Sequence, residues 1–389
     1  MNLTERKVLI LLGSGISLGS GLPNVRELTN DILNGSFIFS SDQKFYPESF
    51  GILPSLGEER VAKNTQRFLQ LLKTYSDRYY AIRTGQESHY EDIYYLAKQL
   101  ADDQTDNIQN PAIDGFIRDV REQAEPLFRG IYALERARYQ QMADRSCALI
   151  ESVLAHRLQL PKEIKGLDLL TTLALNNEIV QLDVTTLNHD TLVETHLGRS
   201  GCEIQDGFSK IDGDLQIFDP AEFDYPKRIR LLKLHGSIDW YRFYLDKKSQ
   251  MAKVSHGDIY HAKDKNGKLI NLDGPNFLAG TFNKILDYGS GIFGEQFFRF
   301  HQFLKEHDRL IISGYGFGDK AINTHLWDWL CEKSNRKMIV LHEDPKSLFL
   351  HARASFSNVY DRLKEIDQIV IIEKWMSNAS FDTDISHLL

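Results

Sequence analysis

The chain opens with an apolar run that leads directly into a glycine-rich turn, and this junction constrains the fold more than any other segment. Residues 7–12, KVLILL, predict a strand buried on both faces of a parallel sheet. Residues 13–21, GSGISLGSG, hold four glycines and three serines. A helix is predicted over 23–33, because Pro23 suits a helix start and apolar residues follow at helical spacing. The unit is therefore strand, glycine turn and helix.

Five later segments are short, apolar and β-branched, and each predicts a strand: 178–188, 229–236, 309–316, 337–343 and 368–375. Helical patterns separate several of them, which is typical of βαβ units. Charged amphipathic stretches over 57–160 predict helices without a strand. We expect an α/β chain with a Rossmann-like, mostly parallel sheet flanked by helices. We expect the chain to form one domain over 1–389, with a helical insertion at about 45–160. The dipeptide Asn266-Gly267 predicts a β-hairpin within 253–272.

Composition excludes several classes of protein. The net charge of −8 argues against general nucleic-acid binding. The three cysteines, Cys147, Cys202 and Cys331, are too far apart for a four-cysteine zinc site and fit a reducing cytoplasm. We expect no signal peptide, because the first apolar run starts late and ends in glycine. No apolar stretch approaches the roughly 20 residues of a membrane span, so we expect no membrane partner.

The glycine turn suits a phosphate, because missing Cβ atoms let the backbone approach a ligand and a helix N-terminus offers free N–H groups. No lysine follows the glycines, so a phosphate-transferring P-loop is not indicated. The third glycine comes one residue too late for G-x-G-x-x-G, and no acidic residue ends a second strand about 20 residues later. A tight turn between packed elements explains the turn equally well.

Other predicted strand ends carry small polar residues or glycine, and ligands of open α/β sheets bind at such ends. One end has Thr186, Asn188 and Asp190, and another has His235 followed by Gly236. Further along are the ends with Gly314, Gly316, Gly318, Asp319 and Asn323, and with His342 and Glu343. Helix capping explains single members such as Asp319. The whole set predicts one crevice for an extended, phosphate-bearing ligand.

In chain order, these stretches resemble the motifs of the sirtuin superfamily. Sirtuins carry G-A-G-I-S and S-G-[IL]-P in the first loop, then T-Q-N-I-D, a catalytic L-H-G and a later glycine-rich NAD loop. The corresponding stretches are Gly13 to Ser17, Ser20 to Pro23, Thr186 to Asp190, Leu234 to Gly236, and Gly314 to Asp319. The resemblance covers about 7–35 and 178–345 and leaves out the helical stretch between them.

The departures from deacylating sirtuins are informative. Those enzymes place a zinc module with two C-x-x-C pairs after L-H-G, where this chain has SIDWYRFYLDKKSQ and the predicted hairpin; we therefore expect no zinc. The segment G-I-P-D-F-R becomes Gly21 to Arg26 without its Asp and Phe, and a loop serine becomes Gly316. TTLNHD, KLHGSIDW and GYGFGDKAIN instead resemble the bacterial sirtuin-like branch that destroys NAD during phage defence.

That resemblance implies a NAD⁺ hydrolase that depletes NAD in abortive infection, with NAD as the substrate. It implies a homo-oligomer and a HerA-type ATPase partner, because no second recognisable domain is evident. We expect the oligomer contacts to involve 57–160. Alternatives are a NAD-dependent protein deacylase, a non-catalytic NAD or ADP-ribose scaffold, and a nuclease subunit, although no carboxylate–lysine cluster supports the last.

The resemblance also implies roles for single residues. Asn188 would orient the ribose and the water, His235 would act as general base or position the ribose hydroxyls, and Asp190 would hold the carboxamide. The loop from Gly13 to Ser17 would cradle the pyrophosphate. The full set of expected NAD-binding residues is Gly13, Ser14, Gly15, Ser17, Leu22, Pro23, Arg26, Thr186, Gly314, Gly316, Phe317, Asp319, Asn323, His342 and Glu343, the last two at the adenine end.

Overall fold

The structure is a computed structural model, and it describes residues 6–41, 44–83, 87–104, 113–128, 135–245, 248–254, 259, 261–280, 284, 287–353 and 355–389. It divides into two compact units. The first comprises Met1–Leu22, Gln159–Leu278 and Ile285–Leu389, and the second comprises Pro23–Leu158 and Ala279–Lys284. None of the helices within the described ranges combines the length and apolarity needed to cross a membrane.

The strands are β1 (Arg6–Leu12), β2 (Phe37–Phe39), β3 (Phe45–Pro47), β4 (Ile179–Thr186), β5 (Lys210–Asp212), β6 (Leu215–Ile217), β7 (Ile229–Lys233), β8 (Gly236–Ser237), β9 (Tyr241–Leu245), β10 (Lys248–Val254), β11 (Asn276–Phe277), β12 (Arg309–Ser313), β13 (Lys337–Leu341) and β14 (Ile369–Ile372). The α-helices are α1 (Val25–Asn34), α2 (Leu56–Arg83), α3 (Tyr90–Gln104), α4 (Asp114–Phe128), α5 (Glu135–Arg157), α6 (Asp168–Leu175), α7 (Leu192–Arg199), α8 (Gly291–Glu306), α9 (Lys320–Glu332), α10 (Pro345–His351) and α11 (Ser355–Glu365). Short 3₁₀ segments include Ser14–Ser20, directly after β1.

The first unit is built on a six-stranded sheet in the order β14-β13-β12-β1-β4-β7, and every neighbouring pair is parallel. The six strands are the six that the sequence predicts. Numbered along the chain, their order is the Rossmann order, and it reverses between β1 and β12. The predicted α/β class with a Rossmann-like parallel sheet flanked by helices is therefore confirmed.

Both faces of the sheet are covered, which explains why its strands read as continuous apolar runs. In β1, Leu9 and Leu11 enter a core that includes Phe300 and Phe356. Val8, Ile10 and Leu12 enter a second core on the opposite face, together with residues of α6 and α7. The alternation along a single strand thus assigns its side chains to two cores.

The predicted strand at 229–236 is too long. Strand β7 ends at Lys233, and Gly236 then takes a φ of +75°, which turns the chain into a separate antiparallel pair. A Cβ at this position would lie 2.6 Å from the carbonyl oxygen of Asn276 in β11. The glycine therefore serves the close approach of another backbone.

The hairpin predicted within 253–272 around Asn266-Gly267 is present in short form: Lys263 and Leu269 form an antiparallel bridge, and Ile270 N donates to Ala262 O at 2.9 Å. The sequence analysis missed the longer hairpin β9–β10, which belongs to a four-stranded antiparallel sheet in the order β5-β6-β10-β9. Residues 255–258 and 260 of the predicted hairpin lie outside the described residues. An apolar core that includes Leu215, Phe243 and Ala252 holds this small sheet together.

The second unit contains helices α1–α5 and the strand pair β2–β3. Helix α1 begins at Val25, two residues later than predicted, because the Asn24 side chain accepts from Glu27 N and the Glu27 carboxylate accepts from Asn24 N. The helices predicted over 57–160 are present as α2–α5, with Phe68, Ile93 and Leu149 fully buried. The single NAD-binding domain with an insertion stays a prediction.

Candidate functional site

The loops that follow strands β1 and β12 contact each other at the point where the strand order of the sheet reverses. Gly13 N donates to Ser313 O at 3.0 Å, and Gly15 N donates to Gly314 O at 3.0 Å. A Cβ on Gly13 would lie 2.5 Å from Gly314 O, and one on Gly314, whose φ is +67°, would lie 2.6 Å from Ile16 N. These three glycines are required by the contact between the two loops, whether or not a ligand binds.

A chain of hydrogen bonds ties the first loop to the end of β4. Asn188 Nδ2 donates to Gly13 O at 3.2 Å and to Ser17 Oγ at 3.0 Å. Ser17 Oγ in turn donates to Asp190 Oδ2 at 2.8 Å. All three side chains are buried. The structure thus brings together four of the residues that the sequence predicts for the site.

Asn188 presents a hydrogen-bond acceptor that no described residue uses. A carbonyl oxygen can only accept, so the bond to Gly13 O identifies the amide nitrogen and leaves Asn188 Oδ1 on the other side. Asn188 is 5% exposed, and its Oδ1 has no hydrogen-bond partner among the described residues. An unsatisfied buried acceptor is costly. It is the feature expected where a ligand hydroxyl or an ordered water donates.

Asp190 is held on three sides. Its Oδ2 accepts from Ser17, its Oδ1 accepts from Leu192 N at 3.1 Å, and its carbonyl oxygen accepts from Lys233 Nζ. Lys233 also donates to Glu194 Oε1 at 2.6 Å. Burial raises the pKa of Glu194, although Lys233 opposes the shift. The carboxylate of Asp190 therefore connects the loop to the start of α7, and the carboxamide contact stays a prediction.

His235 follows β7 and faces a carboxylate. Its Nε2 lies 3.1 Å from Asp319 Oδ2, and Tyr288 Oη donates to the same oxygen at 3.1 Å. The Tyr288 ring stacks with that of His235 at a centroid distance of 6.2 Å, and the His189 ring lies 6.0 Å away. His189 also packs on Phe277 at 4.7 Å. The group is a buried imidazole surrounded by aromatic rings and one carboxylate.

Sequence reasoning missed Tyr288 and His189. His189 lies inside the quoted motif, between Asn188 and Asp190, so its position offered a signal. Tyr288 stands directly before the glycines of YGSGIFG (288–294), but this segment follows none of the predicted strands, so it was not singled out. Only the folded arrangement brings it to His235.

Several predicted ligand contacts have structural partners instead. The Phe317 side chain is fully buried against Phe349 and Phe356 in the core. Asn323 holds its own loop, because Tyr315 Oη donates to Asn323 Oδ1 at 2.8 Å and Asn323 Nδ2 donates to Phe317 O at 2.8 Å. Packing and backbone satisfaction account for Phe317 and Asn323 without a ligand.

The remaining residues predicted to bind NAD differ in their surroundings, and some of them belong to the second unit. Thr186 Oγ1 donates to Leu12 O at 3.3 Å, and Leu22 is buried in the core. Ser14 is exposed at the start of the 3₁₀ segment. A Cβ on Gly316 would meet no atom within 4 Å. Pro23 and Arg26 belong to the second unit, where Arg26 is exposed on the first turn of α1.

The pair predicted for the adenine end follows β13. The His342 ring lies 4.6 Å from that of Trp375, and Trp375 Nε1 donates to Glu343 Oε2 at 2.6 Å. Burial lowers the pKa of His342. An aromatic ring and a carboxylate thus stand together at this strand end. Within the described ranges, no group of three or more His, Cys, Asp or Glu side chains is arranged to hold a metal ion.

Comparison with known proteins gives a family match for part of the chain. Residues 183–360 match the family model described as the SIR2-like domain, which supports the sirtuin resemblance over less than half of the 389 residues. Asn188, His235 and Asp319 lie inside the match. No curated protein matches the chain. A solved structure described as a Sir2 homologue–NAD complex matches at 12% identity over 94% of this chain and 91% of that chain. The TM-score of this match is 0.30, which is too low to establish a shared fold.

Proposed function

We propose that this chain binds NAD⁺ and hydrolyses it to nicotinamide and ADP-ribose. The observation that carries the proposal is the buried Asn188 Oδ1 after β4, which has no hydrogen-bond partner in the part of the chain that the structure describes. It lies beside the loop at the reversal of strand order, where open α/β sheets bind their ligands. The SIR2-like match over 183–360 adds support for a sirtuin-like site.

The reaction breaks the bond between the ribose C1′ and the nicotinamide nitrogen. Its electron pair returns to the nicotinamide ring, which leaves neutral and needs no proton. The ribose passes through an oxocarbenium-like state, and a water oxygen bonds to C1′ while its proton goes to a base. His235 is the proposed base, and such assistance is typically worth about 10²- to 10⁴-fold in rate.

Asn188 would act through its unpartnered oxygen. With Nδ2 anchored on Gly13 O and Ser17 Oγ, the amide cannot rotate without losing both bonds. Its Oδ1 would accept from a ribose hydroxyl or from the attacking water. Because the anchor includes Gly13, the loop that would cradle the pyrophosphate also sets the orientation of Asn188.

The wider role follows from the sequence resemblance. The antiphage branch depletes NAD, and the proposed setting here is abortive infection in the bacterial cytoplasm, as a homo-oligomer with a HerA-type ATPase partner. A protein deacylase is less well supported, because the small antiparallel sheet and its apolar core follow L-H-G where deacylating sirtuins carry their zinc module.

The test is direct. Purified protein is incubated with NAD⁺, alone and with the product of the neighbouring gene, and nicotinamide and ADP-ribose are quantified by chromatography. Asn188→Ala and His235→Ala should each lower the rate by at least about a hundredfold. His351→Ala, an exposed histidine on α10, is the matched control and should leave the rate unchanged. Survival of NAD⁺ in both incubations would refute the proposal, and acetyl-peptide-dependent formation of O-acetyl-ADP-ribose would favour the deacylase.

A further inference from the structure

We propose that Asp319 is a positioning residue for His235: its carboxylate fixes the orientation and the tautomer of the imidazole, and Tyr288 fixes the carboxylate. The inference rests on the proposed function for its catalytic meaning. The contact between Asp319 and His235 is a feature of the structure and does not depend on which reaction the protein catalyses.

The carboxylate of Asp319 is divided between two tasks. Oδ1 caps α9 by accepting from Ala321 N at 2.9 Å and from Ile322 N at 3.1 Å. Oδ2 lies on the other side, 3.1 Å from His235 Nε2 and 3.1 Å from Tyr288 Oη. The side chains of His235 and Asp319 are only 6% and 7% exposed. The contact between His235 and Asp319 is therefore shielded from water. Asp319 makes this contact in addition to capping α9.

The hydrogen-bond inventory assigns the proton. An ionised carboxylate offers acceptors only, and Tyr288 Oη, Ala321 N and Ile322 N each donate to it. A carboxylate that only accepts requires a hydrogen on His235 Nε2. In the neutral imidazole the lone pair then lies on Nδ1, so Asp319 selects Nδ1 as the atom that can take a proton.

Ordinary capping does not explain this arrangement. Asp219 and Asp344 also cap helical segments, and their Oδ1 atoms accept from Ala221 N and from Ser347 N, each at 3.0 Å. Among the described residues, neither has a histidine on its second oxygen. Of these three capping aspartates, Asp319 alone faces His235.

The charges around His235 give the direction of the electrostatic effect. The titratable groups that face it include Asp319, Tyr288 and His189. The Asp319 carboxylate is in hydrogen-bond contact, with Oδ2 3.1 Å from His235 Nε2, whereas the His189 ring centroid is 6.0 Å from that of His235. Asp319 therefore stabilises the protonated form of His235 and makes its neutral form a stronger base.

The first experiment compares pH–rate profiles for NAD⁺ cleavage by the wild type, Asp319→Asn and the capping control Asp219→Asn. The amide oxygen of asparagine can still cap α9, so the helix is kept while the charge and the tautomer selection are lost. We expect kcat to fall by about a hundredfold or more in Asp319→Asn, with a much smaller change in KM. The acidic limb of its profile should move to lower pH by about one unit. Asp219→Asn should match the wild type.

A loss of activity with an unshifted profile and a lowered melting temperature would overturn the proposal, because capping alone would account for it. Should Asp319→Asn fail to fold, Tyr288→Phe removes one donor from Oδ2 and leaves the cap intact. A several-fold drop in kcat at unchanged melting temperature is expected for Tyr288→Phe. An unchanged kcat in this variant would count against the arrangement.

A second measurement is independent of catalysis. Long-range ¹H–¹⁵N spectra of the imidazole rings report the tautomer, and the His235 signals are assigned by their loss in His235→Gln. The wild type should show the Nε2–H form, and Asp319→Asn should lose that preference. If NAD⁺ is not cleaved but the tautomer depends on Asp319, the proposed function fails and the positioning role stands. If NAD⁺ is cleaved and Asp319→Asn leaves the tautomer and profile unchanged, the positioning role fails.

Discussion

Gly314 and Gly316 are two residues apart in one loop, yet they are glycine for different reasons. Gly314 has a left-handed φ of +67° and no room for a Cβ beside Ile16 N, whereas a Cβ on Gly316 would meet no atom within 4 Å. Packing requires the first glycine. No atom among the described residues requires the second, so we attribute it to the backbone approach of the proposed ligand.

The two alanine variants should therefore behave differently. Gly314→Ala should lower the free energy of unfolding by about 2 kcal/mol or more, since it combines an unfavourable φ with a steric clash. Gly316→Ala should stay within about 0.5 kcal/mol of the wild type and raise the KM for NAD⁺. Urea unfolding and steady-state kinetics measure both. Equal destabilisation by the two substitutions, or an unaltered KM in Gly316→Ala, would contradict this division.

The position of a candidate site residue was predictable where an apolar run in the sequence ends and marks the end of a strand. Asn188 and His235 follow apolar runs, so their place at the sheet edge could be inferred. The unpartnered Asn188 Oδ1 and the second task of Asp319 could not, because both depend on contacts between distant segments. The burial of Phe317 was not predictable either: it lies in a glycine-rich motif that suggested a ligand contact, and its side chain packs in the core.

At the level of elements, the parallel strands were predictable and the small antiparallel sheet was not. A strand buried on both faces reads as an uninterrupted apolar run. Strands β9 and β10 carry charged and polar residues on their outer face, which weakens the pattern. The Asn266-Gly267 dipeptide was the stronger local signal, and it closes a short separate hairpin.

The small sheet should depend on packing and not on a metal. Phe243 is 1% exposed within its core, whereas the adjacent Tyr244 is 68% exposed on the opposite face. Phe243→Ala should cost about 3–5 kcal/mol, and the matched control Tyr244→Ala should cost about 0.5 kcal/mol or less. Denaturant unfolding is measured with and without a zinc chelator, which should not move the midpoint. A chelator-induced shift would reveal a structural metal and refute the prediction.

At the level of the whole molecule, the number of strands in the main sheet was predictable, but the order in which they pair was not. Six apolar runs allow many orders, and only the connections select the Rossmann order observed. The division into two units was anticipated only in part, as a helical insertion at about 45–160. The second unit instead begins at Pro23 and ends at Leu158, and it also includes Ala279–Lys284. No obvious linker in the sequence marks the junctions at Pro23 and Leu158.

Histidines distributed over both units predict how stability depends on pH. Burial lowers the pKa of His156, His196, His307, His325 and His342 below the ordinary value of 6.5. The unfolded chain therefore binds more protons than the folded chain as the pH falls through this range. Stability should be full above about pH 7 and should decline between about pH 6.5 and pH 5. Urea midpoints across this range test the sign, and a constant or rising midpoint on acidification would contradict it.

The backbone contact between the loops after β1 and β12 has a mechanical consequence. Gly13 N and Gly15 N donate to the backbone oxygens of Ser313 and Gly314, and a Cβ on Gly13 or Gly314 would clash with the other loop. The two loops proposed to hold NAD⁺ are thus joined backbone to backbone. We therefore expect a substrate that orders one loop to order the other as well, so that affinities for its two ends change together at this crossing.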